Sequence, residues 1–247
     1  TRFTNVPELY MMASDVVDWL TMEDVIREAE RVGIEIGMPK VKRIPVLSPK
    51  DDFWIDFINN QERRLENLPS PSEYKPGTGM DHYFKVHNDS RFAAVDLRLV
   101  MPQAPDHPQT KVNQLARNVK DVYDRTMNER GAQVIFSDIG VPSKLTKERE
   151  AQGRFADLYK EIVDKLVKAG IPRNEIAVVH DAKNAKAMAD ILGKVKNGEI
   201  RVVIGSTKRL GVGTNFQTRL KAIHQLDVLG RPGDIDQRMG RIVRQGN

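Results

Sequence analysis

The apolar positions of this chain change their spacing near Pro108. Before it they recur at helical intervals, in short and interrupted stretches. Glu8 to Leu20 and Met22 to Val32 have that spacing. In Asp51 to Leu68, Phe53, Trp54, Phe57, Ile58 and Leu65 recur at three- and four-residue steps, which predicts another helix. Pro39, Pro45 and Pro49 break regular structure between these stretches. Pro69 to Ser72 and Lys75 to Gly79 read as loop, His82 to Val86 as a short strand, and Arg91 to Leu99 as a short helix. After Pro108 the pattern is regular. Lys111 to Asn128 predicts a helix and Gln133 to Ser137 a buried strand. Arg154 to Ala169 predicts a helix stopped by Gly170 and Pro172. Glu175 to His180 reads as a strand, Asn184 to Lys196 as a helix followed by Gly198, and Arg201 to Gly205 and Lys221 to Asp227 as strands. Asp234 to Arg244 is the last predicted helix, behind Pro232-Gly233.

Strands alternating with helices at this spacing predict an α/β fold built on a parallel sheet flanked by helices. Residues 1–92 read as a mainly helical linker or insertion, and residues 93–247 as the α/β unit. In such a sheet the loops at the carboxyl ends of the strands usually carry the function. No internal repeat and no low-complexity tract is visible.

Composition narrows the field. With 40% hydrophobic and 30% charged residues, the 247-residue chain is neither disordered nor membrane-like, and no apolar run approaches the roughly 18 residues of a membrane span. Cysteine is absent, which excludes disulfides, thiolate metal ligands and a thiol nucleophile, and fits a cytoplasmic location. The chain opens on Thr1 without a signal-like pattern, so the expectation is a piece of a longer polypeptide. The net charge of +5 is uneven: −4 over residues 1–92, +3 over 93–200 and +6 over 201–247. A short, strongly basic stretch suits either a polyanion or a solvated basic face, and charge alone does not separate the two.

Two segments within that basic stretch carry candidate chemistry. Gly205 to Gln217 follows a strand. Gly211 and Gly213 allow close backbone approach, Ser206, Thr207, Thr214 and Asn215 offer short polar groups, and Lys208 and Arg209 are cations. The set suits phosphate, or equally a tight strand-to-helix turn with solvated charges; Phe216 stands where a dinucleotide fingerprint needs glycine. In Asp234 to Arg244, helical spacing puts Gln237, Arg241 and Arg244 on one face, with Arg238 one step round and three residues before Arg241. Converging guanidiniums form a clamp for a phosphoryl group, while Asp227, Asp234 and Asp236 allow a balanced, exposed helix instead.

Taken together, these segments resemble superfamily 2 helicases. Gln237 to Arg244, Gln-Arg-x-Gly-Arg-x-x-Arg, is similar to their motif VI. Ser206 to Gln217 resembles motif V, and Gln133 to Ser137 the motif IV strand. Val178 to His180, the following helix and Arg201 to Ile204 have the spacing of the same lobe. The likeness covers about Lys111 to Asn247 and is closest to Swi/Snf-type proteins. Arg2 to Leu9 and Asp227 to Asn247 resemble the large bacterial and phage proteins that join such a helicase to an adenine-specific DNA methylase. There the usual Pro-Trp before Arg-Pro is replaced by Leu229-Gly230 before Arg231-Pro232.

The resemblance implies a RecA-like second lobe, with the P-loop NTPase fold, that works opposite an N-terminal RecA-like lobe of the same parent chain. That other lobe would hold most of the ATP and its Mg. Neither Gly-x-x-x-x-Gly-Lys-Ser/Thr nor an Asp-Glu-x-His box occurs in these 247 residues. By the same implication Arg241 and Arg244 would reach the γ-phosphate as arginine fingers and Gln237 would orient them. Gly211, Gly213 and Asn215 would lie at the nucleotide. Thr207 would touch a nucleic-acid phosphate, with Ser206 and Lys208 beside it. The partner would be the DNA backbone, duplex rather than RNA, with a fused methylase domain as a further implied neighbour. The implied function is the motor lobe of an ATP-dependent DNA helicase or translocase, inactive without the other lobe. The alternatives are a non-hydrolysing nucleic-acid-binding or docking module, or an ATPase acting on RNA.

The remaining candidates read as structural. His82, His87, His107, His180 and His224 form no metal-ligand pattern, and no metal site is expected. His180 and His224 lie at strand ends and read as hydrogen-bonded structural residues. Asp181 and Asn184 read as helix caps, Asp51, Asp52, Asp234 and Asp236 as first-turn carboxylates, and Trp19, Trp54 and Phe57 as core. No Gly-x-Ser-x-Gly elbow is present.

Overall fold

The computed structural model describes residues 6–14, 16–17, 20, 22–36, 39, 41–143, 157–210, 217–230 and 232–240. Four helices come first: α1 (Val6–Ser14), α2 (Met22–Arg31), α3 (Asp52–Glu66) and α4 (Tyr83–Ala93). The α/β part follows as α5 (Lys111–Arg125), β1 (Ala132–Phe136), α6 (Leu158–Lys168), β2 (Ile176–Val178), α7 (Ala185–Asn197), β3 (Val202–Gly205), the four-residue α8 (Thr207–Leu210), β4 (Leu220–Gln225) and α9 (Pro232–Met239).

The four strands form one sheet in the order β2-β3-β1-β4, and every pairing is parallel. Its register sets Phe136 beside Gly205 and Gln225, so β1, β3 and β4 end level with one another. Strand residues alternate between two apolar layers, the period-2 consequence of the pleat. Ile135, Ile176, Val178, Val202 and Ile204 pack with Val112, Leu115 and Val119 of α5 and with Leu158, Ile162 and Leu166 of α6. Ala132, Val134, Phe136, Ala177 and Val203 pack with Val195, Met188, Ile191 and Leu192 of α7 and with Leu210. A parallel sheet needs both faces covered, and here both are. The chain therefore has the RecA-like α/β architecture expected of it.

Local chemistry sets the helix ends. Asp51 accepts from Trp54 N, Asp157 from Lys160 N and Asn184 from Ala187 N, each capping a first turn. Gly198 closes α7 at φ +78°, a left-handed value that suits glycine. Trp54 and Phe57 pack edge to face, and Phe57 is buried with Ala93, Leu97 and Ala104. Trp19 lies outside the described residues.

Several boundaries differ from those the spacing predicts. His82 to Val86 is not a strand but the entry to α4. Val86 and Ala93 are seven residues apart and both buried, which only a helix places on one face. The apolar alternation over five residues was too short to separate the two periods. The expected 92/93 division falls at the last turn of this helix. The strand predicted over Glu175 to His180 pairs only over Ile176–Val178; Val179–Asp181 turns off it as a 3-10 turn that includes Asp181. Helix Glu8 to Leu20 forms only as Val6–Ser14. The starts of α6 and the end of the final helix, as predicted, reach residues outside those described.

At the amino edge of the sheet, a buried arginine fixes the lower corner. Arg201 donates to Gly131 O, Tyr123 O and Thr126 Oγ1, and its guanidinium lies 3.8 Å from the Tyr123 ring centre. On β4, His224 meets Gln133 Oε1 at 2.9 Å, while Gln133 Nε2 donates to Val119 O. The imidazole thus carries its proton on Nε2. Among the described residues no helix is long and apolar enough to cross a membrane.

Two outcomes follow for stability. A Cβ at Gly205 would sit 2.4 Å from Val179 Cγ2 and 2.7 Å from Leu210 Cδ1. Gly205→Ala is therefore expected to cost about 1–3 kcal/mol by overpacking, measured by urea unfolding. Burial pushes the His224 imidazole from its ordinary 6.5 down to about 4. The fold keeps it neutral where the unfolded chain would take up a proton, so His224 weakens the fold as pH falls between those two values. Wild type should lose more stability than His224→Gln between about pH 7 and about pH 5 in thermal unfolding.

Candidate functional site

The carboxyl ends of β1, β3 and β4 bring Asp138, Thr207 and Asp227 together, and α9 adds Arg238. The Arg238 side chain is fully buried although it is charged. Its Nε donates to Thr207 Oγ1 at 2.8 Å. One terminal nitrogen donates to Asp138 Oδ2 at 3.1 Å and to Asp227 Oδ1 at 3.0 Å. Its guanidinium carbon lies 5.1 Å from the centre of the Phe136 ring.

The acceptors are themselves tied to one another. Asp138 N donates to Asp227 Oδ2 at 2.6 Å. Thr207 donates to Asp138 twice, from its backbone amide at 2.7 Å and from its hydroxyl at 2.8 Å. The Thr207 hydroxyl thus accepts from Arg238 and gives its own proton to Asp138, which leaves one arrangement of hydrogens. Four residues from four segments make a ring of charge-assisted hydrogen bonds, closed through the backbone amide of Asp138. Asp227 is as fully buried as Arg238, while Asp138 keeps 30% of its side chain exposed.

A second layer supports the ring. The Tyr159 hydroxyl donates to Ser137 O, next to Asp138. Burial, and then the facing carboxylates of Asp138 and Asp227, push its phenol far above the usual range, so it stays a donor. Its ring meets His180 edge to face. His180 Nε2 lies 3.2 Å from Ser206 Oγ, and its Nδ1 is buried without a partner. Burial, then the Arg209 cation, lowers the His180 pKa against the opposing pull of Asp181 and Asp138. Lys111 also titrates lower than usual because it is buried, with Asp227 acting the other way.

The structure places the sequence candidates as follows. Ser206 is buried against His180, Thr207 is half-buried within the ring, and Lys208 is exposed. Gln237 is exposed on α9. Gly211, Gly213, Asn215, Arg241 and Arg244 lie outside the described residues. Arg238 reads from its spacing as a third guanidinium of an anion clamp; instead it is turned inward and engaged by two carboxylates. Helical geometry explains the split, since one residue is about 100° of rotation and puts Gln237 and Arg238 on different faces.

Asp138 and the inward role of Arg238 are not read from spacing. The signal available is a carboxylate just after each of two strands, at Ser137-Asp138 behind buried β1 and Leu226-Asp227 behind partly buried β4. Two acidic groups beside an apolar core require a buried cation. Among the described residues no group of three or more His, Asp or Glu is placed to hold a metal.

The ring makes unequal demands on its members. Arg238→Met leaves two carboxylates facing each other and is expected to cost about 3–5 kcal/mol. Asp138→Asn keeps one carboxylate for the guanidinium at a partly exposed site and is expected to cost about 1–2 kcal/mol. Urea unfolding of the two variants against wild type checks the order.

The comparison with known families agrees with this architecture. Residues 146–246 match the family model described as the helicase conserved C-terminal domain. The match spans α6 to α9, and with them Thr207, Asp227 and Arg238; Asp138 and β1 precede it. No curated protein matches the chain. The matched stretch and the all-parallel sheet support a C-terminal helicase lobe.

Proposed function

We propose that this chain supplies the second motor lobe of an ATP-dependent DNA helicase or translocase. The observation that carries the reading is the helicase C-terminal match lying on a parallel sheet with Thr207, Lys208 and Gln237 at its carboxyl edge. On this reading ATP is substrate and is held mainly by the facing lobe. Both carboxylates of the buried ring are engaged by Arg238. The magnesium that accompanies ATP is read as held mainly by that facing lobe too.

The parts have separate roles under this proposal. Arg241 and Arg244 reach across to the γ-phosphate and stabilise charge as the phosphoryl group transfers, with Gln237 orienting them. Gly211, Gly213 and Asn215 border the nucleotide. Thr207 touches the nucleic-acid backbone, with exposed Lys208 and buried Ser206 as its neighbours. ATP closes the two lobes because the arginines bind it only across the cleft, and hydrolysis releases them. Alternate closing and opening moves the lobes along a strand. Contacts to phosphates carry no base readout, so sequence specificity is low. The Swi/Snf-type likeness favours duplex DNA as the track and a methylase as a fused neighbour. Alone, the lobe hydrolyses no ATP.

The test is ATP hydrolysis by the polypeptide that joins this lobe to its P-loop lobe, with and without duplex DNA. Arg244→Ala should lower the DNA-stimulated rate by roughly 10³-fold or more. A rate unchanged by the substitution removes Arg244 from the mechanism. Absence of ATPase in the wild type moves the reading to a non-hydrolysing binding module, and stimulation by RNA alone moves the track to RNA.

A further inference from the structure

We propose that Arg238 is a positioning residue that couples the nucleic-acid segment at Thr207–Lys208 to the ATP-facing side of α9, an inference that rests on the motor-lobe reading above. The argument begins with burial. A buried ion pair is a poor device for stability alone, since apolar residues of similar volume often do as well or better. The polar ring therefore asks for another reason.

Its connections supply one. Arg238 is the residue through which α9 holds β1, β3 and β4 at once, by way of Asp138, Thr207 and Asp227. Gln237 precedes it on the same helix. Thr207 is both a ring member and the first residue of α8, next to exposed Lys208. A displacement of Thr207 by a backbone phosphate changes two bonds together, the one its hydroxyl accepts from Arg238 and the one it donates to Asp138.

Arg238 has no slack with which to absorb that change. Its guanidinium is planar, and it bonds three partners in fixed directions. Asp227, its buried anchor, is held in turn by the amide of Asp138. The displacement passes into α9 as a shift of the helix, and the exposed face bearing Gln237 moves with it. A lysine keeps the charge but presents a single point in place of the fork. An asparagine at 138 keeps its oxygen for the Thr207 amide. It turns the other contact, to Arg238 and the Thr207 hydroxyl, from acceptor to donor.

The experiment uses the two-lobe polypeptide and measures duplex-DNA affinity with and without a non-hydrolysable ATP analogue. The ratio of the two dissociation constants is the coupling. It also measures kcat and KM for ATP at saturating duplex. In wild type the ratio should fall in the range of about 5–150. In Arg238→Lys and in Asp138→Asn it should fall to within about twofold of unity, with the DNA-stimulated kcat reduced and KM for ATP little changed. A variant that had merely lost stability would lower the active fraction and leave this ratio, taken on folded protein, at the wild-type value.

A folded Asp138→Asn protein that keeps the wild-type ratio overturns the inference, and it does so even if Arg238→Lys fails to fold. A wild-type protein with no DNA-stimulated ATPase sinks the motor-lobe reading instead. Stimulated wild type together with unaffected variants sinks only the role given to Arg238.

Discussion

At the carboxyl edge of this sheet Asp138, Thr207 and Asp227 are arranged around one buried guanidinium. A guanidinium carries its charge into the protein interior, so it must be paired wherever it is buried. Two carboxylates and a hydroxyl meet that demand, and each comes from the end of a different strand. The requirement runs in both directions. Without the arginine, Asp138 and Asp227 would face each other beside an apolar core. Without the level ends of β1, β3 and β4, no single side chain would reach all three.

The parallel sheet is what makes this meeting possible. Parallel strands bring all their carboxyl ends to one edge, and the helices that return the chain cover both faces. Gly205 completes the geometry, because Val179 and Leu210 pack where its side chain would be. That packing brings the Val179–Asp181 turn, and with it His180, over Ser206. At the opposite edge Arg201 performs a simpler task. It satisfies carbonyls at the end of α5 and in the connection to β1, and among the described residues no carboxylate bonds it. The two buried arginines thus mark two ends of one sheet, one neutral in its surroundings and one densely charged.

Much of this was legible in the residues. Four apolar strands and the helices between them follow from spacing, and the capping by Asp51 and Asn184 follows from residue type. Short segments were harder. Five residues from His82 fit two periods, and only burial of Val86 with Ala93 decides between them. The ring around Arg238 was hidden for a different reason. Spacing along one helix groups Arg238 with its neighbours Gln237 and Arg241, whereas its partners lie on three other elements. Local periodicity says which face a residue occupies, not which distant carboxylate meets it. Asp138 carried no motif at all, and became visible only when β1 and β3 were set side by side.

The ring also bears on how the fold is reached. Three of its links join residues 69, 89 and 100 positions apart along the chain, against 31 and 11 for the bonds of Arg238 to Thr207 and Asp227. Each of the three closes a long loop, and the entropy of that closure must be met before the bond gives anything back. The long-range bonds of the ring are therefore expected to close late, after β3 and β4 have aligned on β1. Interactions that form late act on escape from the native state more than on arrival at it. In kinetic terms Arg238 is a brake on unfolding, set after the sheet is already in place.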